Sequence, residues 1–144
     1  MRVEERLTDF GFEHQPKNDS FHRAAAGGKK TTVFVTQADA TDQQAIETII
    51  DKCFNGKSPN IILADVPCPG DGRIRTNPSS AVRRQPKTEA DVYSQTAILQ
   101  TAVANVRPEP RGTVIYSTCS VNPRIDEAVV ETVISGNSGI KCVE

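Results

Sequence analysis

The sequence has few of the features that mark several common classes of protein. It contains 144 residues, of which 5% are aromatic, with no tryptophan and one methionine. No apolar run approaches the roughly eighteen residues that a membrane-spanning helix requires, and the charged start MRVEERLTDF lacks the apolar centre of a signal peptide. The net charge of −1 does not identify a partner. We therefore expect an intracellular protein with one hydrophobic core and no contact with a membrane.

The spacing of the four cysteines excludes the usual cysteine-based structures. Cys53, Cys68, Cys119 and Cys142 are far apart and form no CxxC pair, whereas structural zinc sites and small disulfide-rich scaffolds use tight spacings. We predict no metal site. Because a reducing compartment disfavours disulfides, each thiol needs its own explanation.

From residue 31 onward, strand patterns and helix patterns alternate along the chain. The strand segments are rich in β-branched residues, and the helix segments carry apolar residues at a 3.6-residue period. Such alternation predicts βαβ units with a parallel sheet covered by helices on both faces, which is an α/β fold. Residues 13–30 are polar and indicate a loop. The predicted strands are 31–40, 60–66 and 112–120, and the predicted helices begin near Thr41, Thr88 and Asn122.

Ionisable side chains stand at or just past the ends of these strands. Asp39 ends the first predicted strand, and Asp65 ends the second. Cys68 follows Asp65 by three residues, and Cys119 ends the third strand. Because ligands bind outside the carboxyl ends of strands in open parallel sheets, we expect these four side chains to share one edge.

The two strand-end cysteines have different surroundings. Cys119 precedes a predicted helix, whose positive N-terminal end favours a thiolate. Cys68 lies in the segment VPCPGDG, where two prolines restrict the backbone and two glycines allow a sharp turn or a close approach to a ligand. The alternative is that both are buried and inert, as free cysteines usually are.

A basic segment follows the first of these cysteines. It contains no acidic residue, which is the pattern expected of a surface that binds a phosphate backbone. A solvated loop would have the same composition, and both interpretations stay open. The basic residues are Arg73, Arg75, Arg83, Arg84 and Lys87.

Two motifs in the chain resemble those of a known family. DVPCPGDG (65–72) and YSTCSVNPRIDEAVV (116–130) resemble the catalytic motifs of the NOL1/NOP2/Sun (NSUN) family of RNA (cytosine-5)-methyltransferases, and are closest to the subgroup that modifies tRNA. The resemblance implies a partial Rossmann-like class I methyltransferase fold with a parallel sheet whose first two strands are absent. Residues 1–30 would be an N-terminal helix and flexible loop, and 31–144 a partial catalytic domain.

The resemblance also implies roles for individual residues. Cys119 resembles the nucleophile that adds to C6 of cytosine, and Cys68 the thiol that assists release of the product. Asp65 resembles the carboxylate at the pyrimidine edge, which also borders the cofactor. Asp39 resembles the acidic residue near the adenine of S-adenosylmethionine. The basic segment would hold RNA, with tRNA as the expected substrate.

The chain departs from the family pattern in two places. Pro69 stands where the family has a serine, and the glycine-rich loop of the type DxCAAPGxKT is absent together with the acidic strand that follows it. We therefore expect an incomplete cofactor site, no turnover by this chain alone, and either a second chain or a missing N-terminal segment that completes the sheet.

Two functions other than RNA methylation are considered for this sequence. A non-catalytic RNA-binding module that keeps the methyltransferase motifs remains an alternative. A cysteine hydrolase is disfavoured, because His14 and His22 both lie in the polar N-terminal stretch and neither stands near a cysteine in sequence.

Overall fold

A computed structural model describes residues 6–8, 13–15, 20–24, 30–78, 88–108 and 112–143. The chain forms two compact units, Met1–Ala38 and Asp39–Glu144. The division predicted from the sequence lies eight residues earlier, between residues 30 and 31. None of the helices in the described part of the chain combines the length and the apolar character needed to cross a membrane.

The first unit contains a small antiparallel sheet. Its strands are β1 (Glu13–Gln15), β2 (Ser20–Ala24) and β3 (Lys30–Phe34), in that spatial order, and residues 6–8 are helical. The prediction of a loop over 13–30 is therefore wrong for β1 and β2. The prediction of a strand over 31–40 in the parallel sheet is also wrong, since β3 ends at Phe34 and pairs with β2. Pairing across a short connection costs less loop-closure entropy than pairing with a distant strand.

The second unit contains a parallel pair of strands connected through a helix. Strands β4 (Ile61–Asp65) and β5 (Thr113–Ser117) pair in register, from Ile61 beside Thr113 to Asp65 beside Ser117. This arrangement confirms the α/β prediction and is consistent with a partial class I methyltransferase fold. The helices are α1 (Gln43–Phe54), α2 (Thr88–Asn105) and α3 (Glu127–Ser135), with 3-10 turns at Asp71–Arg73 and Pro123–Ile125.

Helix α1 begins one residue later than its sequence pattern suggested. Asp42 is the N-cap, and its carboxylate accepts hydrogen bonds from the backbone N–H groups of Gln44 and Ala45, at 3.0 and 3.2 Å. The predicted cap, Thr41, instead donates to Asp39. An aspartate and a threonine are both good caps, so sequence alone does not distinguish neighbouring positions.

The core of the second unit lies on one face of the parallel pair. Side chains alternate across a strand, so Ala64 faces α2 and packs with Ala102, while Leu63 faces the other way and is 65% exposed. A second buried cluster joins α2 to α3 through Leu99, Val129 and Val133. Within the described residues, helices thus cover one face of the pair and not both, contrary to the prediction. The exposed large apolar side chains of the other face are Ile61, Leu63 and Ile115.

Candidate active site

The two strand-end cysteines meet at the carboxyl edge of the parallel pair. Cys68 and Cys119 are joined by a disulfide, with their Cα atoms 6.1 Å apart. The strands end side by side, so the loops that follow them project from one edge and bring together residues separated by 51 positions. The sequence predicts free thiols, and for this pair that prediction is wrong. Both remaining cysteines, Cys53 and Cys142, are free.

The loop that carries Cys68 is folded tightly against the loop that carries Cys119. Gly70 has a φ of 76°, a conformation that glycine adopts without steric cost. The backbone N–H of Gly72 donates to the carbonyl oxygen of Cys119 at 3.0 Å. A Cβ atom at Gly72 would lie 2.7 Å from that oxygen. The close approach predicted for these glycines is therefore an approach to backbone near the second cysteine.

Asp71 and Asn122 fix the segment that follows Cys119. A carboxylate oxygen of Asp71 accepts a hydrogen bond from the backbone N–H of Val121 at 3.2 Å. Asn122 accepts from the N–H of Arg124 at 3.1 Å and caps the turn that starts at Pro123. The predicted cap is confirmed, but it caps a 3-10 turn that precedes α3. The segment after the nucleophile candidate is thus held by side-chain acceptors from two loops.

Tyr116 ties strand β5 to the same turn from inside the protein. Its hydroxyl donates to the carbonyl oxygen of Ile125 at 3.1 Å, and Ile125 is 1% exposed. Burial raises the pKa of Tyr116 to about 12, and the nearby carboxylate of Asp126 adds to the rise. Burial also raises the pKa of Asp126, with a further contribution from Glu127. Tyr116 therefore stays a neutral hydrogen-bond donor at neutral pH.

The two predicted carboxylates lie in different settings. Asp65 is exposed at the end of β4, beside Ser117 and near the two cysteine loops. Asp39 follows β3 by five residues and belongs to neither strand of the parallel pair. It accepts hydrogen bonds from the N–H and hydroxyl of Thr41, at 2.9 and 2.7 Å, and these bonds lower the pKa of Asp39. The prediction that Asp39 ends a strand of the same sheet is wrong.

The predicted RNA-binding segment lies only partly within the described residues. Arg73 ends the 3-10 turn at 71–73, Arg75 follows it, and both side chains are exposed. Arg83, Arg84 and Lys87 lie outside the described residues. Two of the five predicted cations are thus placed a few residues beyond Cys68.

Gln95 is a residue of this region that the sequence analysis missed. It is 0% exposed, and its side-chain nitrogen donates to the carbonyl oxygen of Pro67 at 2.7 Å. The signal was a polar residue on the inward stripe of α2, between Val92 and Leu99 at helical spacing. A buried amide in such a stripe indicates a specific hydrogen bond, because burial without one is costly.

The sequence of the chain matches a protein family over most of its length. The family model described as 16S rRNA methyltransferase RsmB/F matches residues 25–144. The chain belongs to this family. RsmB/F methyltransferases use S-adenosylmethionine and act on RNA.

Curated relatives are ribosomal RNA methyltransferases. Ribosomal RNA small subunit methyltransferase F of Salmonella paratyphi C (strain RKS4594) is 27% identical over 132 residues, which cover 79% of this chain and 27% of the relative. The protein of the same name from Salmonella arizonae is 38% identical over 69 residues, which cover 47% of this chain and 14% of the relative. The chain thus spans about a quarter of the length of such relatives.

The residues present do not form a complete site for S-adenosylmethionine. The parallel sheet of the described residues has two strands, the glycine-rich loop is absent from the sequence, and Asp39 belongs to neither of those strands. What the edge does hold is a pair of cysteines and a carboxylate. Among the described residues no group of three histidine, cysteine or acidic side chains is placed to hold a metal ion.

Proposed function

We propose that this chain is the base-handling part of an RNA (cytosine-5)-methyltransferase. The observation that carries the proposal is the meeting of Cys68 and Cys119 at one strand edge, with Cα atoms 6.1 Å apart. A reaction at C5 of cytosine needs one group that adds to C6 and another that removes a proton from C5. These are neighbouring ring atoms, so the two groups must come from neighbouring positions in the protein.

Cys119 is the proposed nucleophile. Its thiolate forms a bond to C6 of cytosine, the C5=C6 double bond opens, and the electron pair makes C5 nucleophilic. Asp65 is proposed to hydrogen-bond the pyrimidine edge, where it shares a proton with N3 and stabilises the charge that the ring acquires. Asp65 suits this role because it is exposed at the same edge. It pairs with Ser117, which precedes Cys119 by two residues.

Cys68 is the proposed base of the release step. Once C5 carries the methyl group, a thiolate at Cys68 takes the remaining proton from C5. The C5=C6 bond then re-forms, and the thiolate of Cys119 leaves. The backbone N–H of Cys119 lies 3.3 Å from the sulfur of Cys68 and donates to it. Both roles require the disulfide to be reduced.

The proposed substrate is RNA with the target base out of its stack. C6 is reached only from an extruded or unpaired base, and Arg73 and Arg75 are placed to bind the neighbouring phosphates. The relatives are named for ribosomal RNA, while the motif resemblance favours tRNA. We propose tRNA as the first substrate to test, with a small-subunit ribosomal RNA fragment beside it.

The chain by itself is proposed to be catalytically incomplete. The exposed Leu63 and Ile115 lie on the face of the parallel pair that no described helix covers. Further strands and helices, from another chain or from a longer form of this one, would cover that face and supply the methyl-donor site. The isolated chain should therefore add to a base without methylating it.

Trapping with an activated base tests the proposal. The reduced chain, Cys68→Ala and Cys119→Ala are incubated with RNA that contains 5-azacytidine, with and without S-adenosylmethionine, and separated on a denaturing gel. A protein–RNA adduct is expected for the chain and for Cys68→Ala, and none for Cys119→Ala. Cys53→Ala is the matched control, because Cys53 is a free thiol on α1. An adduct that survives in Cys119→Ala and is lost in Cys53→Ala would overturn the assignment.

A non-catalytic RNA-binding module is the second candidate, and the incomplete cofactor site favours it. Binding through arginine side chains releases counterions, so affinity falls steeply as salt rises. The module would bind RNA with a salt dependence that Arg73→Gln and Arg75→Gln reduce, yet give no adduct. An adduct at Cys119 excludes this candidate, and the absence of any salt-dependent binding contradicts both.

A further inference from the structure

Gln95 combines complete burial with a long-range contact to the cysteine loop. It lies within α2 at 0% exposure, and its side-chain amide reaches across 28 positions of sequence to the carbonyl oxygen of Pro67 at 2.7 Å. Pro67 directly precedes Cys68. The contact therefore joins the rigid helix of the unit to the residue next to the proposed base.

The cysteine loop is also attached on this side through the backbone N–H of Val66, which donates to the carbonyl oxygen of Ser117 at 3.0 Å. Pro67 and Pro69 have no backbone N–H, so neither flanking residue can donate a main-chain hydrogen bond. On the far side, Gly72 and Asp71 bind the segment around Cys119. Gln95 thus adds a side-chain attachment at the residue directly before Cys68, and Cys68 stands between it and the attachments on the far side.

A buried glutamine at position 95 is not the side chain that would give the folded protein the greatest stability. Its side-chain oxygen is buried without a hydrogen-bond partner among the described residues. An unpaired buried acceptor is unfavourable, and a methionine would fill a similar volume without one. The hydrogen bond from its nitrogen to Pro67 partly offsets this cost, and it is the bond that ties α2 to the cysteine loop.

We propose that Gln95 is a positioning residue that holds Cys68 opposite Cys119. The helix fixes Gln95, the amide fixes the carbonyl of Pro67, and the sulfur of Cys68 is thereby kept at the edge where Cys119 lies. The consequence for catalysis rests on the proposed function, in which Cys68 removes the proton from C5. The placement of the two sulfur atoms does not rest on it.

The thiol–disulfide equilibrium measures this placement without any catalytic activity. Glutathione disulfide oxidises the two thiols: their sulfur atoms form one bond, two protons and two electrons leave, and two molecules of glutathione are produced. The equilibrium constant reports how well the folded chain holds the thiols together. In Gln95→Met it should fall about two- to tenfold, the factor to which the net free energy of one hydrogen bond corresponds.

Asn105 provides a matched control on the same helix. It is 6% exposed, and its side-chain amide donates to the carbonyl of Thr101, inside α2. Asn105→Leu should lower the melting temperature and leave the equilibrium constant unchanged. Cys53→Ala and Cys142→Ala are introduced into every variant so that only the two strand-end thiols react. An equal constant in Gln95→Met and the parent chain overturns the proposal, as does an equal fall in Asn105→Leu.

A measurement on the unsubstituted chain decides the question if Gln95→Met does not fold. The side-chain NH₂ of Gln95 should exchange with solvent far more slowly than that of an exposed glutamine such as Gln100. Equal exchange would show that the hydrogen bond to Pro67 is absent and would overturn the proposal.

The adduct assay separates this inference from the proposed function. If both hold, the equilibrium constant falls in Gln95→Met while the RNA adduct still forms, because the adduct requires Cys119 and not the placement of Cys68. If the equilibrium constant falls but no variant forms an adduct with 5-azacytidine RNA, Gln95 positions the thiols and the proposed function is wrong. If the constant does not change, the positioning role is wrong whatever the adduct shows.

Discussion

The backbone N–H of Gly72 donates to the carbonyl oxygen of Cys119 over 3.0 Å, and the space between them admits no side chain. This contact joins the loop of one strand-end cysteine to the backbone of the other. The arrangement of the two sulfur atoms therefore depends on a glycine at this position.

Gly72→Ala should disturb both the fold and the thiol pair. The added methyl carbon would lie 2.7 Å from the Cys119 carbonyl oxygen, so one loop must move, at a cost of about 1–3 kcal/mol. Urea unfolding and the glutathione equilibrium would measure the two effects. Gly139→Ala is the control, because a Cβ there meets nothing within 4 Å. Equal results for the two variants would show that the contact is not essential.

Oxidation should reversibly remove the reactivity of Cys119. A chain with Cys53→Ala and Cys142→Ala, treated with glutathione disulfide, should lose the mass of two hydrogen atoms and all capacity to form the RNA adduct. Dithiothreitol should restore both, because it reduces the disulfide that joins Cys68 and Cys119. Two thiols that remain open to alkylation after oxidation would contradict this prediction.

Tyr116 should ionise only at high pH in the folded protein. The chain has two tyrosines, so Tyr93→Phe leaves Tyr116 as the single reporter. Its ultraviolet absorbance should titrate near pH 12 in the folded chain and near 10 in urea. Between these values the unfolded chain loses the proton that the folded chain keeps, so the free energy of unfolding falls as pH rises.

Removal of the hydroxyl tests the same linkage from the other side. In the Tyr93→Phe background, a further Tyr116→Phe change should make the alkaline loss of stability smaller. If the two proteins lose stability in parallel above pH 10, the pKa of Tyr116 is not raised on folding and the hydrogen bond to Ile125 does not protect it.

Two leucines should differ in what they contribute to stability. Leu99 is 5% exposed between α2 and α3, whereas Leu63 is 65% exposed on the uncovered face of the parallel pair. Leu99→Ala should cost about 2–5 kcal/mol in urea unfolding, and Leu63→Ala about 0.5 kcal/mol or less. A large cost for Leu63→Ala would mean that its face is covered in solution.

The parallel pair and its edge were predictable because they depend on local pattern. The β-branched runs that end at Asp65 and Ser117 set the strand ends, and the carboxyl ends of parallel strands share one edge. This is why the sequence placed Cys68 and Cys119 together. The Asn122 cap was also legible, since an asparagine followed by a proline commonly begins a helical turn.

The features that sequence did not reveal depend on competition between distant segments. The segment 31–40 contains residues that favour a strand, but its pairing partner depends on the free energy of pairing. It pairs with β2, which lies in the nearby polar stretch. Gln95 was hidden for a related reason. In the sequence it is a polar residue that interrupts an apolar stripe. Its hydrogen-bond partner, the carbonyl of Pro67, is known only from the structure.

The crosslink between the two strand-end cysteines also affects the lifetime of the chain. It closes a loop across 51 positions, and restricting the unfolded chain in this way stabilises a protein by about 4 kcal/mol in the chain-entropy description. The oxidised chain should thus resist unfolding and proteolysis better than the reduced one.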